Sequence, residues 1–115
     1  MTLTALEHPP VDALDLATIM GALADEHRLA IVRTLASDGE RVCGTFDLGI
    51  SKATRSHHLK ILREAGVTRT RAAGTERWMS VRQADLDARF PGLLDALDAD
   101  ADREPGSVPG SSIAL

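Results

Sequence analysis

Three kinds of side chain in this 115-residue sequence could carry chemistry: a run of basic residues, a single cysteine and four histidines. Residues 52–82 hold eight basic and two acidic side chains, whereas residues 1–51 hold three and eight, and residues 83–115 hold two and seven. The net charge of −4 hides this segregation. Because Lys and Arg neutralise phosphates, a contiguous basic segment favours a polyanionic partner, double-stranded DNA above all.

The single cysteine, Cys43, excludes an internal disulfide and a paired-cysteine zinc site. Two interpretations of it stay open. It is either a small buried hydrophobic residue or a redox sensor, since a position at a helix start near Arg41 would lower the pKa of the thiol.

The histidines do not form a recognised metal-binding pattern. His57 and His58 are adjacent, and neighbours on a helix point about 100° apart, so they cannot easily share one ion. His8 and His27 have no familiar ligand spacing to other residues. We therefore expect no metal and no other cofactor, with a site assembled across a dimer interface left open.

Catalysis is not indicated by any motif, and the sequence is not expected to be an enzyme. It has no glycine-rich phosphate loop, and the adjacent Ser56 and His57 would diverge on a helix rather than form a nucleophile and base pair. It has no signal-peptide pattern and no apolar stretch near the ~18–20 residues that span a bilayer. We expect a cytoplasmic protein without membrane contact.

The apolar spacing predicts a mainly α fold with a small β-hairpin wing, in the order α-α-α-α-β-β-α. The predicted helices start near Asp12, cover 25–37, make one or two turns over 43–48, and cover 52–65 with Ser51 as N-cap and Gly66 at the far end. Strands at 67–71 and 77–81 flank a turn at 72–76. One last helix carries Leu86 to Leu97, with its main body starting near Pro91.

The domain is predicted to cover residues 12–102, after a flexible arm at 1–11 and before a disordered tail at 103–115. Its core must be aliphatic, because the aromatic residues are only Phe46, Trp78 and Phe90. Such a small core is commonly supplemented by a second copy, so we expect a homodimer.

A basic helix followed by a basic hairpin is typical of a winged helix-turn-helix, in which the helix enters the major groove and the hairpin lies on the backbone. Arg55 falls on the inner face of the helix. Its guanidinium is predicted to reach a phosphate at the open end, or else to pair with an acid such as Asp47. The predicted DNA contacts are Ser51, Lys52, Ala53, Thr54, Arg55, Ser56, His57, Lys60, Arg69, Arg71, Thr75 and Arg77.

Residues 22–32 (ALADEHRLAIV) and 48–67 (LGISKATRSHHLKILREAGV) resemble the arsenic-repressor (ArsR/SmtB-type) family of winged helix-turn-helix regulators. The resemblance implies a dimer formed through the first and last helices, and a repressor that binds an imperfect palindrome and releases it on a signal. The family's paired-cysteine motif keeps one thiol in residues 41–48, and the last helix has no histidine.

The signal therefore stays open between a small effector, a metal ion and oxidation. Repression and activation also stay open, because the sign of regulation depends on where the DNA site lies relative to a promoter. The alternative function is a winged-helix module that binds a partner protein through its acidic last helix and tail, with no specific DNA site.

Overall fold

A computed structural model describes residues 8–101, so the predicted tail at 103–115 and residues 1–7 of the predicted arm lie outside the described part. The helices and strands are α1 (Leu16–Leu23), α2 (Glu26–Asp38), β1 (Arg41–Val42), α3 (Lys52–Ala65), β2 (Thr68–Ala73), β3 (Glu76–Val81), α4 (Gln83–Arg89) and α5 (Leu93–Ala101). Two 3₁₀ turns cover Val11–Ala13 and Cys43–Thr45. The predicted class, mainly α with a β wing, is confirmed.

Side-chain caps define where the first three helices begin. The carboxylate of Asp15 accepts a hydrogen bond from the Thr18 amide, so α1 starts after the predicted position near Asp12. Asp25 caps α2 in the same way. Ser51 Oγ accepts from the amide of Thr54 at 3.1 Å, which confirms it as the N-cap of α3.

The C-terminal end of α3 is closed by Gly66, whose φ of 89° lies in the left-handed region. A Cβ at this position would overlap the side chain of Leu14. The glycine thus ends the helix and also lets the N-terminal segment pack against that end. Both predicted bounds of α3 are confirmed.

The three strands form an antiparallel sheet in the order β1-β3-β2. The hairpin is longer than predicted, because Ala73 pairs with Glu76 and only Gly74 and Thr75 remain in the turn. The strand β1 was not predicted, since two residues are too few to show the alternation of apolar and polar side chains that indicates a strand. It pairs Arg41 with Met79, and the predicted helical turns at 43–48 shorten to the 3₁₀ turn at Cys43–Thr45.

The predicted last helix is divided into α4 and α5 at residues 90–92, and its main body starts at Leu93, close to the predicted Pro91. Gly92 has a φ of 93°, and Pro91 cannot donate a backbone hydrogen bond. The reversal lets α5 return to α2. There Arg33 donates to the carbonyl oxygen of Leu97 at 3.2 Å and to the carboxylate of Asp100 at 2.6 Å.

The core lies between α1, α2, α3 and the sheet, and it is aliphatic as predicted, with Phe46 as its buried aromatic side chain. Because the core fixes α3 against α2 and the sheet, the outer face of α3 and the wing have a defined relative position. The side chains with almost no exposed surface include Ile19, Ile31, Val32, Leu62, Val67, Met79 and Leu86.

Residues 8–11, at the end of the arm predicted over 1–11, make hydrogen bonds to the body of the domain. His8 Nε2 accepts a hydrogen bond from the Thr70 amide at 3.0 Å. The carbonyl oxygen of Pro9 accepts from the buried guanidinium of Arg82 at 2.7 Å. The N-terminal segment therefore crosses the base of the wing.

Candidate nucleic-acid interface

The outer face of α3 carries most of the predicted DNA contacts in exposed positions. Leu59 and Leu62 point inward, as the helical spacing predicts. The predicted contacts that are exposed on α3 and at its N-cap are Ser51, Lys52, Ala53, Thr54, Ser56, His57 and Lys60. A helix presented this way has the geometry that the major groove accepts. That these residues contact DNA stays a prediction.

Arg55 is half-buried, and its Nη1 donates a hydrogen bond to the carbonyl oxygen of Phe46 at 3.2 Å. The alternative pairing with Asp47 is therefore wrong, because a backbone carbonyl takes the place of the carboxylate, and the predicted contact with a phosphate stays a prediction. The contact ties α3 to the segment after β1 and leaves the charge of Arg55 without an acidic partner among residues 8–101.

His58 is buried, and its Nδ1 lies 3.0 Å from Nη1 of Arg28 on α2. Because a guanidinium only donates, Nδ1 is the acceptor and the ring is neutral. Burial lowers the pKa of His58, and the Arg28 charge adds to this, whereas Asp25 at 4.0 Å opposes it. This histidine is a hydrogen-bonding residue at the edge of the core, as predicted.

The wing carries four of the predicted contacts, all of them exposed: Arg69, Arg71, Thr75 and Arg77. Two of these cations have acidic partners, which sequence reasoning missed. Arg71 makes two hydrogen bonds to Glu40, at 2.7 and 2.8 Å, and the pKa of Glu40 is lowered by them. Arg69 lies 3.5 Å from the carboxylate of Asp85.

Arg82, the last cation of the basic segment, is 4% exposed and belongs to the interior. Its guanidinium lies 3.0 Å from Asp85 and bonds the Pro9 carbonyl. Arg82 therefore adds to the charge of residues 52–82 in the sequence but not to the exposed basic surface. Composition and spacing do not show that an arginine is buried among acceptors.

Four cations of the basic segment have no acidic partner within residues 8–101: Lys52, Arg55, Arg63 and Arg77. All four line the space between α3 and the wing. We call this space the α3–wing groove. Its larger part, of about 450 Å³, is lined by Val42, Cys43, Gly44, Lys52, Arg55, Ser56, Leu59, Thr75, Glu76 and Arg77.

Cys43 lies in this groove and is half-buried. Burial raises the pKa of its thiol, and the charge of Arg77 opposes that effect only in part. The sequence prediction of a lowered pKa is therefore wrong, because β1 and the 3₁₀ turn hold the residue against the sheet instead of at the start of an α-helix. The raised pKa disfavours a redox role for Cys43, which stays a prediction.

Within residues 8–101 there is no group of three or more His, Cys, Asp or Glu side chains with the arrangement to hold a metal ion. His27 and His58 are neighbours, with ring centroids 5.5 Å apart, but Arg28 occupies the Nδ1 side of His58. In the same part of the chain, no helix is long and apolar enough to cross a membrane.

The exposed helix α3 packs on α2, and a β wing lies beside it with the cationic groove between them. This arrangement defines a winged helix-turn-helix regulator. Residues 23–71 match the family of helix-turn-helix domains. YceK, an HTH-type transcriptional regulator of Bacillus subtilis strain 168, is 43% identical over 84 residues, which cover 70% of this chain and 84% of YceK. The chain belongs to the ArsR-type family of winged helix-turn-helix transcriptional regulators, not to a family of enzymes.

Two solved structures agree with this fold. The homodimeric winged helix-turn-helix DNA-binding domain of Mb0332 from Mycobacterium bovis, a possible ArsR-family regulator, is 29% identical with a TM-score of 0.60. It matches 74% of this chain and 79% of that one. The transcriptional repressor BigR from Xylella fastidiosa is 28% identical with a TM-score of 0.52, over 69% of this chain and 86% of BigR.

Proposed function

We propose that this protein is a dimeric repressor that binds a palindromic DNA operator with α3 and the wing, and leaves it on a signal. The observation that carries the proposal is the α3–wing groove, where the four cations without acidic partners come together. Phosphates attract such charges, while the exposed face of α3 is free to meet base edges. A regulator of this kind works in the cytoplasm, beside the chromosome.

Dimerisation is supported by the apolar surface of the N-terminal part of the domain. Val11, Leu16 and Met20 are its large exposed hydrophobic residues, and two of them lie on α1. A second copy would bury them, as the homodimer of Mb0332 suggests by analogy.

We expect Met20→Glu to shift the protein from dimer to monomer in analytical ultracentrifugation. The control Ala88→Glu, on exposed α4, should leave the dimer intact.

The function itself is tested by selecting bound fragments from a pool of genomic DNA at physiological salt. Enrichment of one short palindrome supports the proposal. Binding to that site should weaken in Lys52→Gln and Arg77→Gln, and the slope of log K against log salt should become shallower by about one for each phosphate that is no longer neutralised. The control Arg89→Gln removes an exposed cation from α4, outside the groove, and should leave the slope unchanged.

Two results would contradict the proposal. One is a pool from which no sequence is enriched, and the other is operator binding that survives the neutralisation of both Lys52 and Arg77. The first result favours the alternative, a module that binds a partner protein, and the second would place the operator contact outside the α3–wing groove. Repeating the selection with zinc, nickel, peroxide or small metabolites identifies the class of signal, because only the active one should release the palindrome.

A further inference from the structure

The smaller part of the α3–wing groove is a separate pocket that shares Cys43, Ser56, Leu59 and Arg77 with the larger part. It has a volume of about 130 Å³ and lies between the middle of α3 and the two long strands. We call it the inner pocket. Its lining consists of Cys43, Ser56, Leu59, Lys60, Arg63, Thr70, Arg77 and Met79.

Two residues that line the inner pocket each have a buried polar atom without a hydrogen-bond partner. Three buried side-chain nitrogen or oxygen atoms in the described part of the chain have no hydrogen bond, and two of them, Arg63 Nε and Thr70 Oγ1, belong to residues of this pocket. Thr70 is only 6% exposed. Because a buried polar atom without a partner costs free energy, most such atoms are hydrogen-bonded to protein groups or ordered water, and one without a protein partner indicates a place for a water molecule or an ion.

The chemistry of these atoms selects the bound group. A guanidinium only donates hydrogen bonds, and the hydroxyl groups of Thr70 and Ser56 also have a proton to donate. The pocket is lined by three cations, Lys60, Arg63 and Arg77, and by no carboxylate. Lys60 is partly balanced by Glu64 at 3.8 Å, whereas Arg63 and Arg77 have no acidic partner within residues 8–101. The site therefore suits a compact anion with several acceptor oxygens.

We propose that the inner pocket binds one phosphate-type oxyanion, held by Arg63 and Arg77 and by the hydroxyl groups of Thr70 and Ser56. The anion is either a phosphate of the DNA backbone or free phosphate from solution, since both present the same oxygens. Occupation of the pocket would join α3 to β2 and β3 through one ion. With a DNA phosphate as the anion the proposal rests on the proposed function, whereas binding of free phosphate can be tested without DNA.

The chain offers a matched pair of variants. Thr68 and Thr70 lie on the same strand, both are buried, and both hydroxyl groups lack a partner, but only Thr70 lines the pocket. Inorganic phosphate is titrated into the DNA-free full chain by calorimetry, with ionic strength held constant by chloride. We expect wild type and Thr68→Val to bind phosphate alike, and Thr70→Val to bind about tenfold more weakly.

Arg63→Gln provides a second variant, and circular dichroism verifies that each variant is folded. The proposal is overturned if wild type binds no phosphate, or if Thr68→Val and Thr70→Val bind it equally. The source of the anion follows from a duplex-binding assay. If the DNA backbone supplies it, Thr70→Val weakens duplex binding relative to Thr68→Val and phosphate competes with DNA. If free phosphate is the ligand, the protein–DNA complex still binds it.

Discussion

Nη1 of Arg28, near the start of α2, lies 3.0 Å from Nδ1 of His58, in the middle of α3. The same guanidinium donates through Nε to the carbonyl oxygen of Ala22 at 2.5 Å. One arginine therefore connects the end of α1, the start of α2 and the helix that presents the predicted DNA contacts. Its acceptor on α3 is a titratable ring, so this connection depends on pH.

The pH dependence of stability follows from the lowered pKa values of His58 and His8. The unfolded chain binds protons on these rings at higher pH than the folded chain does. The contribution of these histidines to the free energy of unfolding is therefore complete above about pH 6.5, and it is lost as the pH falls below that value. We expect His58→Asn to flatten the profile, as measured by urea unfolding between about pH 5 and 8. The exposed neighbour His57 supplies the control, and a profile altered equally by His57→Asn would contradict the assignment.

Removing Arg82 should destabilise the protein more than removing the other arginine that holds the N-terminal segment. Arg82→Met leaves the Pro9 carbonyl and Asp85 without their buried donor, which costs about 2 kcal/mol of unfolding free energy. Arg89 also bonds a carbonyl of this segment, that of Val11 at 2.7 Å, but it is exposed. Arg89→Met should cost less than about 1 kcal/mol. Equal losses in chemical denaturation would show that burial of Arg82 contributes nothing.

Gly66→Ala should lower the free energy of unfolding by about 2 kcal/mol, because the left-handed φ and the contact with Leu14 both oppose a side chain. Gly44 is the matched control, since it has no neighbour within 4 Å and no positive φ. We expect Gly44→Ala to change stability by less than about 0.5 kcal/mol. Thermal unfolding of the two variants measures the difference, and similar values would be inconsistent with the close packing at Gly66.

Glu40→Gln tests whether Glu40 neutralises part of the positive charge of the wing by pairing with Arg71. The Arg71 and Glu40 side chains are 54% and 34% exposed, so their pairing contributes little to stability. Removing the carboxylate should free Arg71 for phosphate, and binding to random duplex DNA should strengthen severalfold with a steeper salt dependence. Asp87→Asn, which removes an exposed acid on α4, is the control. Unchanged binding in Glu40→Gln would place Arg71 outside the DNA contact.

The thiol of Cys43 should react slowly, because burial raises its pKa and leaves little thiolate at neutral pH. We expect iodoacetamide to alkylate the folded protein more slowly, at a pH of about 7.5, than the same cysteine in urea. The unfolded chain is an internal control, since the sequence has one cysteine. Faster alkylation of the folded protein would restore Cys43 as a candidate redox sensor.

The sequence predicted those elements whose signals are local. Ser51 and Gly66 bound α3 correctly, because a capping hydroxyl and a left-handed glycine act within a few residues. The inward positions of Leu59 and Leu62 followed from helical spacing alone. These features define the helix that carries most of the predicted contacts.

The features that the sequence did not predict depend on residues far apart in the chain. Arg71 meets Glu40 across 31 positions, and Arg82 meets Pro9 across 73, so neither pairing has a local pattern. The division of the basic segment into paired and unpaired cations therefore needed the structure. The strand β1 was missed for a related reason, since its two residues are defined only by their partners on β3.

The position of β3 in the middle of the sheet has a consequence for how such proteins diversify. Trp78 and Met79 are paired on both sides, with β1 and with β2, whereas the tip at Gly74 and Thr75 has no pairing partner in the sheet. Insertions or substitutions at the tip leave the anchored base intact. Evolution can thus lengthen or recharge this hairpin, and so change which stretch of backbone it touches, without redesigning the domain that supports it.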